Sequence, residues 1–269
     1  EVPASAAGQR MYLIFDGVMA FPKVYVNGKL AGEWDYGYNS FYVEITDFVT
    51  PGGKNVLAVH ADTRSFDSRW YPGAGIYRKV QLLTVAPVHV AVWGTYVTTP
   101  IIKPHYADVR ISTQVNNHDT DRANITLEHE ILSDGGQVVA KGTFGKWINA
   151  GQQSTLETTL TVLDPIRWDV DNPYLYRLLT KVQKDGVVVD EYTTNFGVRT
   201  IRFDPDHGFY LNDRRVQLKG VNLHHDHGPL GAAFCPRAME RQLEIMKSMG
   251  VNAIRNSHNT AAPELLEMC

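Results

Sequence analysis

Short stretches in which apolar and polar residues alternate fill roughly the first two hundred positions of the chain, and this period of two is the signature of half-buried β-strands. In the first block Tyr12-Leu13-Ile14-Phe15 is apolar, and Phe41-Tyr42-Val43-Glu44-Ile45 and Asn55-Val56-Leu57-Ala58-Val59-His60 alternate. Val24-Tyr25-Val26 runs into Asn27-Gly28, a strong hairpin turn, before Lys29-Leu30, and Pro51-Gly52-Gly53 punctuates the block. Tyr77 to Leu82 supplies its last strand. The pattern predicts an antiparallel sandwich, and only about half of one.

Pro87 marks a boundary, after which strands recur at the spacing of a small sandwich. Val109 to Val115, Ile125 to Ile131 and Thr155 to Val162 alternate, while Gly135-Gly136 and Asp185-Gly186 fall where hairpin turns are needed. About 110 residues and roughly seven strands predict an immunoglobulin-like domain without the antibody cysteine pair, with the role of a spacer.

Beyond Asp204-Pro205 the period changes. A hairpin over Gly208 to Arg215 leads to an apolar strand at Val216 to Val221, and Pro236 opens a helix whose Met239, Leu243 and Met246 lie on one face. Gly250 stops it, Val251 to Arg255 forms a second strand, and Pro263 opens a second helix. Strand, helix, strand, helix is the start of a parallel sheet. Two strands cannot complete one, so the remainder of an α/β domain is expected beyond Cys269, and the chain end is expected to be a cut, because no cap or stop signal precedes it.

Composition narrows the function. The 269 residues carry 26 Lys and Arg against 29 Asp and Glu, a net charge of −3 that gives no positive field for a nucleic acid. Two cysteines make no disulfide framework, and no apolar run approaches the ~20 residues of a membrane helix.

Active sites of α/β barrels lie just past the carboxyl ends of the strands. Asn222 to His227 follow the first strand and Arg255 to His258 the second, and both sets suit a hydroxyl-rich or anionic ligand. The His224-His225-Asp226-His227 run reads as active-site hydrogen bonding, as a metal site or as a structural histidine cluster. In extended backbone only His224 with Asp226, or His225 with His227, shares a face. Glu240, Glu244, Glu264 and Glu267 fall on the outer helices as solvated charge, so no pair of catalytic carboxylates is present. Ser257 lacks a nucleophile elbow, Cys235 lacks a base, and no glycine spacing cradles a phosphate. Arg69-Trp70-Tyr71-Pro72-Gly73-Ala74-Gly75-Ile76-Tyr77-Arg78 is an aromatic, glycine-rich loop that could stack on a sugar or pack against a neighbouring domain.

With this loop, four motifs stand in order. They continue with Trp168, Asn172-Pro173-Tyr174-Leu175-Tyr176 and Phe196-Gly197-Val198-Arg199-Thr200-Ile201, then Leu211-Asn212 and Leu218-Lys219-Gly220-Val221-Asn222 with His224. The fourth is Asn252-Ala253-Ile254-Arg255-Asn256-Ser257-His258. Together they resemble glycoside hydrolase family 2, the β-galactosidase, β-glucuronidase and β-mannosidase family. The resemblance implies a multidomain, mainly β protein: a partial jelly-roll sugar-binding sandwich over 1–86, an immunoglobulin-like sandwich over 87–200 and the first βαβα of a TIM (β/α)8 catalytic barrel over 201–269.

It also implies a retaining glycosidase whose acid/base and nucleophilic glutamates lie on later barrel strands, so residues 1–269 alone are expected to be inactive. His224 and His258 match sugar-contacting histidines, and Arg255 matches the arginine that holds the nucleophile. Asp226 and Arg69 are further substrate-binding candidates. The Arg69 to Arg78 loop and Leu223 to Phe234 resemble β-galactosidases, so the expected partner is a β-galactoside oligosaccharide or glycoconjugate. The rivals are another β-glycosidase of the family or a non-catalytic carbohydrate-binding protein. No cofactor is required, a structural or activating cation and a homo-oligomer are left open for the complete enzyme, and a periplasmic or secreted setting is favoured over the cytoplasm.

Overall fold

The computed structural model describes residues 1–63, 74–224 and 226–269. Chain contacts divide it into two compact units, one of residues 1–84 with 218–269 and one of residues 85–217.

The first unit begins with β1 (Arg10–Phe15), β2 (Val18–Met19), β3 (Lys23–Val26), β4 (Lys29–Glu33), β5 (Phe41–Glu44), β6 (Leu57–His60), β7 (Gly75–Ile76) and β8 (Val80–Val85). They form two three-stranded sheets, β5-β1-β8 and β4-β3-β6, and a small β2-β7 pair. Alternation decides which side chains meet: Met11, Leu13, Phe15, Phe41 and Val43 from one sheet pack with Val24 and Val26 from the other. The Phe15 and Phe41 rings stack at 4.9 Å. The β3–β4 hairpin turns through Asn27 and Gly28 at φ 50° and 80°, the left-handed pair that two-residue hairpins require.

The second unit is the immunoglobulin-like sandwich. Its long strands are β9 (Val88–Ile102), β10 (Tyr106–Asn117), β11 (Ala123–Leu132), β12 (Val138–Ile148), β13 (Gln152–Leu163), β14 (Tyr176–Lys184) and β15 (Val187–Phe196). The sheets are β13-β10-β9 and β12-β11-β14-β15. Two apolar clusters fill the space between them, one around Val109, Ile111, Ile131 and Leu178, the other around Val115, Ile125, Leu127 and Val182. At the inward positions between these clusters stand Thr113, His129 and Thr180, all fully buried. His129 faces Thr180 across β11 and β14, and its Nε2 lies 3.3 Å from Thr113 Oγ1.

A hairpin of β16 (Ile201–Asp204), β17 (Gly208–Leu211) and β18 (Arg214–Arg215) closes this unit. The motif residues before it lock together. Trp168 N–H donates to the Val198 carbonyl, Asn212 Nδ2 donates to the Trp168 carbonyl, and the Arg199 guanidinium covers the Trp168 ring at 4.7 Å. Gly197 leaves room for that stack, since a Cβ there would sit 3.0 Å from Trp168 Cβ.

The chain then returns to the first unit with β19 (Gly220–Leu223), α1 (Pro236–Ser248), β20 (Ala253–Asn256) and α2 (Pro263–Met268). β19 and β20 are parallel, with Asn222 opposite Arg255. The first of these strands lies later than the expected Val216 to Val221, because Val216 N–H is already bonded to the Phe209 carbonyl of the preceding hairpin. Asn252 fixes the new start twice: its backbone N–H donates to the Lys219 carbonyl at 3.0 Å, and its Oδ1 accepts from Lys219 N–H at 2.8 Å. Met239 and Leu243 of α1 pack with Leu223, Ile254, Ala261 and Leu265.

Candidate active site

At the carboxyl ends of β19 and β20, and just past them, parallel neighbours present polar side chains, so groups distant in sequence stand side by side; Asn222 and Arg255 are the next-to-last residues of the two strands. Arg255 Nη1 donates to Ser257 Oγ at 3.0 Å and to Asn222 Oδ1 at 3.4 Å. Ser257 is fully buried and its N–H is bonded to the Leu223 carbonyl at 2.9 Å, so the arginine leans on a fixed support. His224 and His258, one beyond each strand, meet edge to face with ring centroids 5.8 Å apart. Both imidazoles and Arg255 are exposed. The arrangement offers a planar guanidinium and two imidazoles on one open surface, which suits a carboxylate together with hydroxyl groups.

His224, Arg255 and His258 are therefore brought together. Asp226 is exposed and acts on His227 through its charge. His227 is buried against Phe234, and that burial lowers its pKa against the opposing field of Asp226. Arg69, with Trp70 and Tyr71, and His225 lie outside the described residues. Among the described residues no group of three or more His, Cys, Asp or Glu converges in a way that could hold a metal ion.

The reading of Glu264 as solvated charge is corrected. Glu264 is 9% exposed and pairs with Lys79 Nζ at 2.6 Å, because residues of 1–84 pack over the first turn of α2. Nearby, Tyr77 donates its hydroxyl to the Gly37 carbonyl at 2.8 Å, and burial pushes that hydroxyl's pKa up to about 12. Arg78 is also buried, its Nη1 donating to the Asp16 carbonyl at 3.2 Å. Burial lowers the Arg78 pKa, opposed by the fields of Tyr77, Asp16 and Glu264. Asp16 has its pKa raised, chiefly by burial and then by Glu264. The sequence flagged Arg78 only as the end of an aromatic loop; its partners, so far along the chain, leave no local signal.

Three family models match the chain in succession: Glycosyl hydrolases family 2, sugar binding domain, over residues 1–86; Glycosyl hydrolases family 2 over 88–199; and Glycosyl hydrolases family 2, TIM barrel domain, over 205–269. The chain belongs to glycosyl hydrolases family 2. A beta-galactosidase of Bacteroides ovatus is 42% identical over 100% of this chain and 32% of its own length. A beta-glucuronidase of Bacteroides fragilis is 32% identical over 97% of the chain and 39% of its own length. The crystal structure of a family 2 member from Bacteroides cellulosilyticus superposes with a TM-score of 0.95 at 35% identity, covering 100% of this chain and 37% of that one. The chain thus spans about a third of the length of such relatives. Its family architecture is a sugar-binding sandwich, an immunoglobulin-like domain and the start of a TIM barrel domain. No helix among the described residues is long and apolar enough to cross a membrane.

Proposed function

We propose that the protein carrying this chain hydrolyses terminal non-reducing β-D-galactosides with retention of configuration, and that His224, Arg255 and His258 form one wall of the subsite for the terminal sugar. The observation that carries the reading is the brace on Arg255, held by Asn222 and Ser257 beside two exposed imidazoles at the ends of parallel strands. Retention uses two carboxylates roughly 5 Å apart, one as nucleophile and one as acid and then base. In this reading both come from later barrel strands. Arg255 orients the nucleophile and keeps it ionised, because a guanidinium fork matches a carboxylate in geometry and charge. His224 and His258 hydrogen-bond the sugar hydroxyls, with Asp226 and Arg69 as outlying contacts.

The galactoside choice leans on the Bacteroides ovatus relative; a β-glucuronide is the second reading, favoured by the Bacteroides fragilis relative. The test compares nitrophenyl β-galactoside with nitrophenyl β-glucuronide on the full-length protein, with NMR reading the first-formed anomer. Faster turnover of the galactoside with the β anomer appearing first is expected, and Arg255→Ala should lower kcat by on the order of a hundredfold or more. Preference for the glucuronide overturns the sugar assignment. Sugar binding without hydrolysis points to a carbohydrate-binding protein instead. Residues 1–269 alone should turn over neither substrate.

A further inference from the structure

The segment 257–262 leads from β20 to α2 and begins at the support of Arg255 and at His258. Its own bonds are few among the described residues: Asn256 Nδ2 donates to the Asn259 carbonyl, and Leu265 N–H to the Ala262 carbonyl at 3.0 Å. Ser257 at its start is bonded to the Leu223 carbonyl and to Arg255, and Ala261 packs against Met239 and Leu265. Beyond Ser257, further polar hold comes from residues 1–84. The Tyr36 hydroxyl bonds Asn259 Oδ1, Arg78 Nη2 donates to the Thr260 carbonyl at 2.8 Å, and Arg78 Nη1 lies 3.4 Å from the Ala261 carbonyl. Lys79 pairs with Glu264 at the far end.

Arg78 is the centre of this arrangement. It is 8% exposed, and removing a cation from water is costly unless its donors and charge are matched. Here three carbonyls take its N–H groups while Asp16 and Glu264 supply opposite charge. It also shares a cavity of about 20 Å³ with His224, Asn256 and Ala261, directly behind the strand ends. A guanidinium can serve two consecutive carbonyls and a third on the opposite side; an ammonium group is a single point.

Resting on the glycosidase reading above, we propose that Arg78 is a positioning residue for the sugar subsite: it clamps the carbonyls of Thr260 and Ala261, and through that loop sets where His258 stands. It touches no substrate. Its removal loosens the loop and weakens ground-state binding of the sugar more than it slows the reacting step.

The test uses the full-length enzyme with Arg78→Lys, Arg78→Ala and Tyr36→Phe. Arg78→Lys should raise KM by about tenfold to a hundredfold while kcat changes much less, and Tyr36→Phe should do the same more weakly. Low concentrations of guanidinium ion should restore KM to Arg78→Ala but leave the wild type unchanged. Hydrogen exchange should quicken over residues 257–262 in the arginine variants and not in the β1 and β5 strands. Unchanged KM overturns the proposal, as does a uniform loss of folding and kcat that guanidinium does not rescue. If the wild type hydrolyses neither glycoside, the glycosidase reading fails on its own, and exchange over 257–262 then decides the clamp: faster in Arg78→Lys upholds it, unchanged overturns it.

Discussion

Thr113, His129 and Thr180 sit in the middle of the immunoglobulin-like core as a neutral group, whereas Asp16, Arg78 and Glu264 bring ionisable groups of both signs into the interior of the other unit. The neutral group is loosely matched: among the described residues His129 Nδ1 and Thr180 Oγ1 have no hydrogen-bond partner. The charged group is closely matched, with the guanidinium donating to carbonyls as far as 183 residues away. The difference follows from what surrounds each. In the sandwich, continuous ladders already fix the strands, and twelve paired positions join β10 to β13. An imperfect polar layer is tolerated there. The segment after β20 has no ladder, so charge-assisted hydrogen bonds hold it.

The comparison breaks most visibly if the cation is removed. Arg78→Met leaves buried Asp16 without the guanidinium charge, leaves Glu264 with Lys79 as its remaining counter-charge, and takes the guanidinium donors from three carbonyls. It should cost about 3–5 kcal/mol in urea unfolding of the full-length protein.

Next in size is an acid effect in the neutral group. Burial pushes the His129 pKa down to about 4 from 6.5. Below 6.5 the unfolded chain takes up a proton that the folded chain resists, so stability is fully present above pH 6.5 and falls as pH drops towards 4. That loss should reach about 3 kcal/mol for a shift of this size. Melting followed against pH should show it, and His129→Leu should flatten the dependence in this window.

The smallest effect has the opposite sign to the first. Thr180→Val replaces an unpaired buried hydroxyl with a methyl group of similar volume and should raise stability by about 1 kcal/mol, read as a shift in the denaturant midpoint. If instead it destabilises, the polar layer is as closely matched as the charged one.

Much of this was legible in the chain. β11 alternates along its whole length because one face is core and the other is not, and Asp185-Gly186 turns β14 into β15 with φ of 49° and 84°. β9 was not legible: it runs for 15 residues through Trp93, whose φ is 55°, and its register with β10 shifts, so no single alternation spans it. His224, Arg255 and His258 could be picked out because parallel strands deliver their following residues to one end. Glu264 could not, since its burial depends on Lys79, far back in the sequence, and helical position alone gives it the appearance of surface charge. The same holds for the clamp at Arg78: its aromatic loop could stack on a sugar or pack against a neighbouring domain, and nothing local showed which carbonyls the buried guanidinium would meet.

The paired bonds between Asn252 and Lys219 bear on more than the start of a strand. Side chains on neighbouring strands alternate in direction, so a slip of one residue would present Leu223, in place of Asn222, beside Arg255. An exposed amide at the entrance of the strand pair thus acts as an index pin for the exit. It determines that a carbonyl-bearing side chain, and not an aliphatic one, greets the guanidinium there. Chemistry at one end of the β19–β20 ribbon is spelled out by a hydrogen-bonded pair at the other.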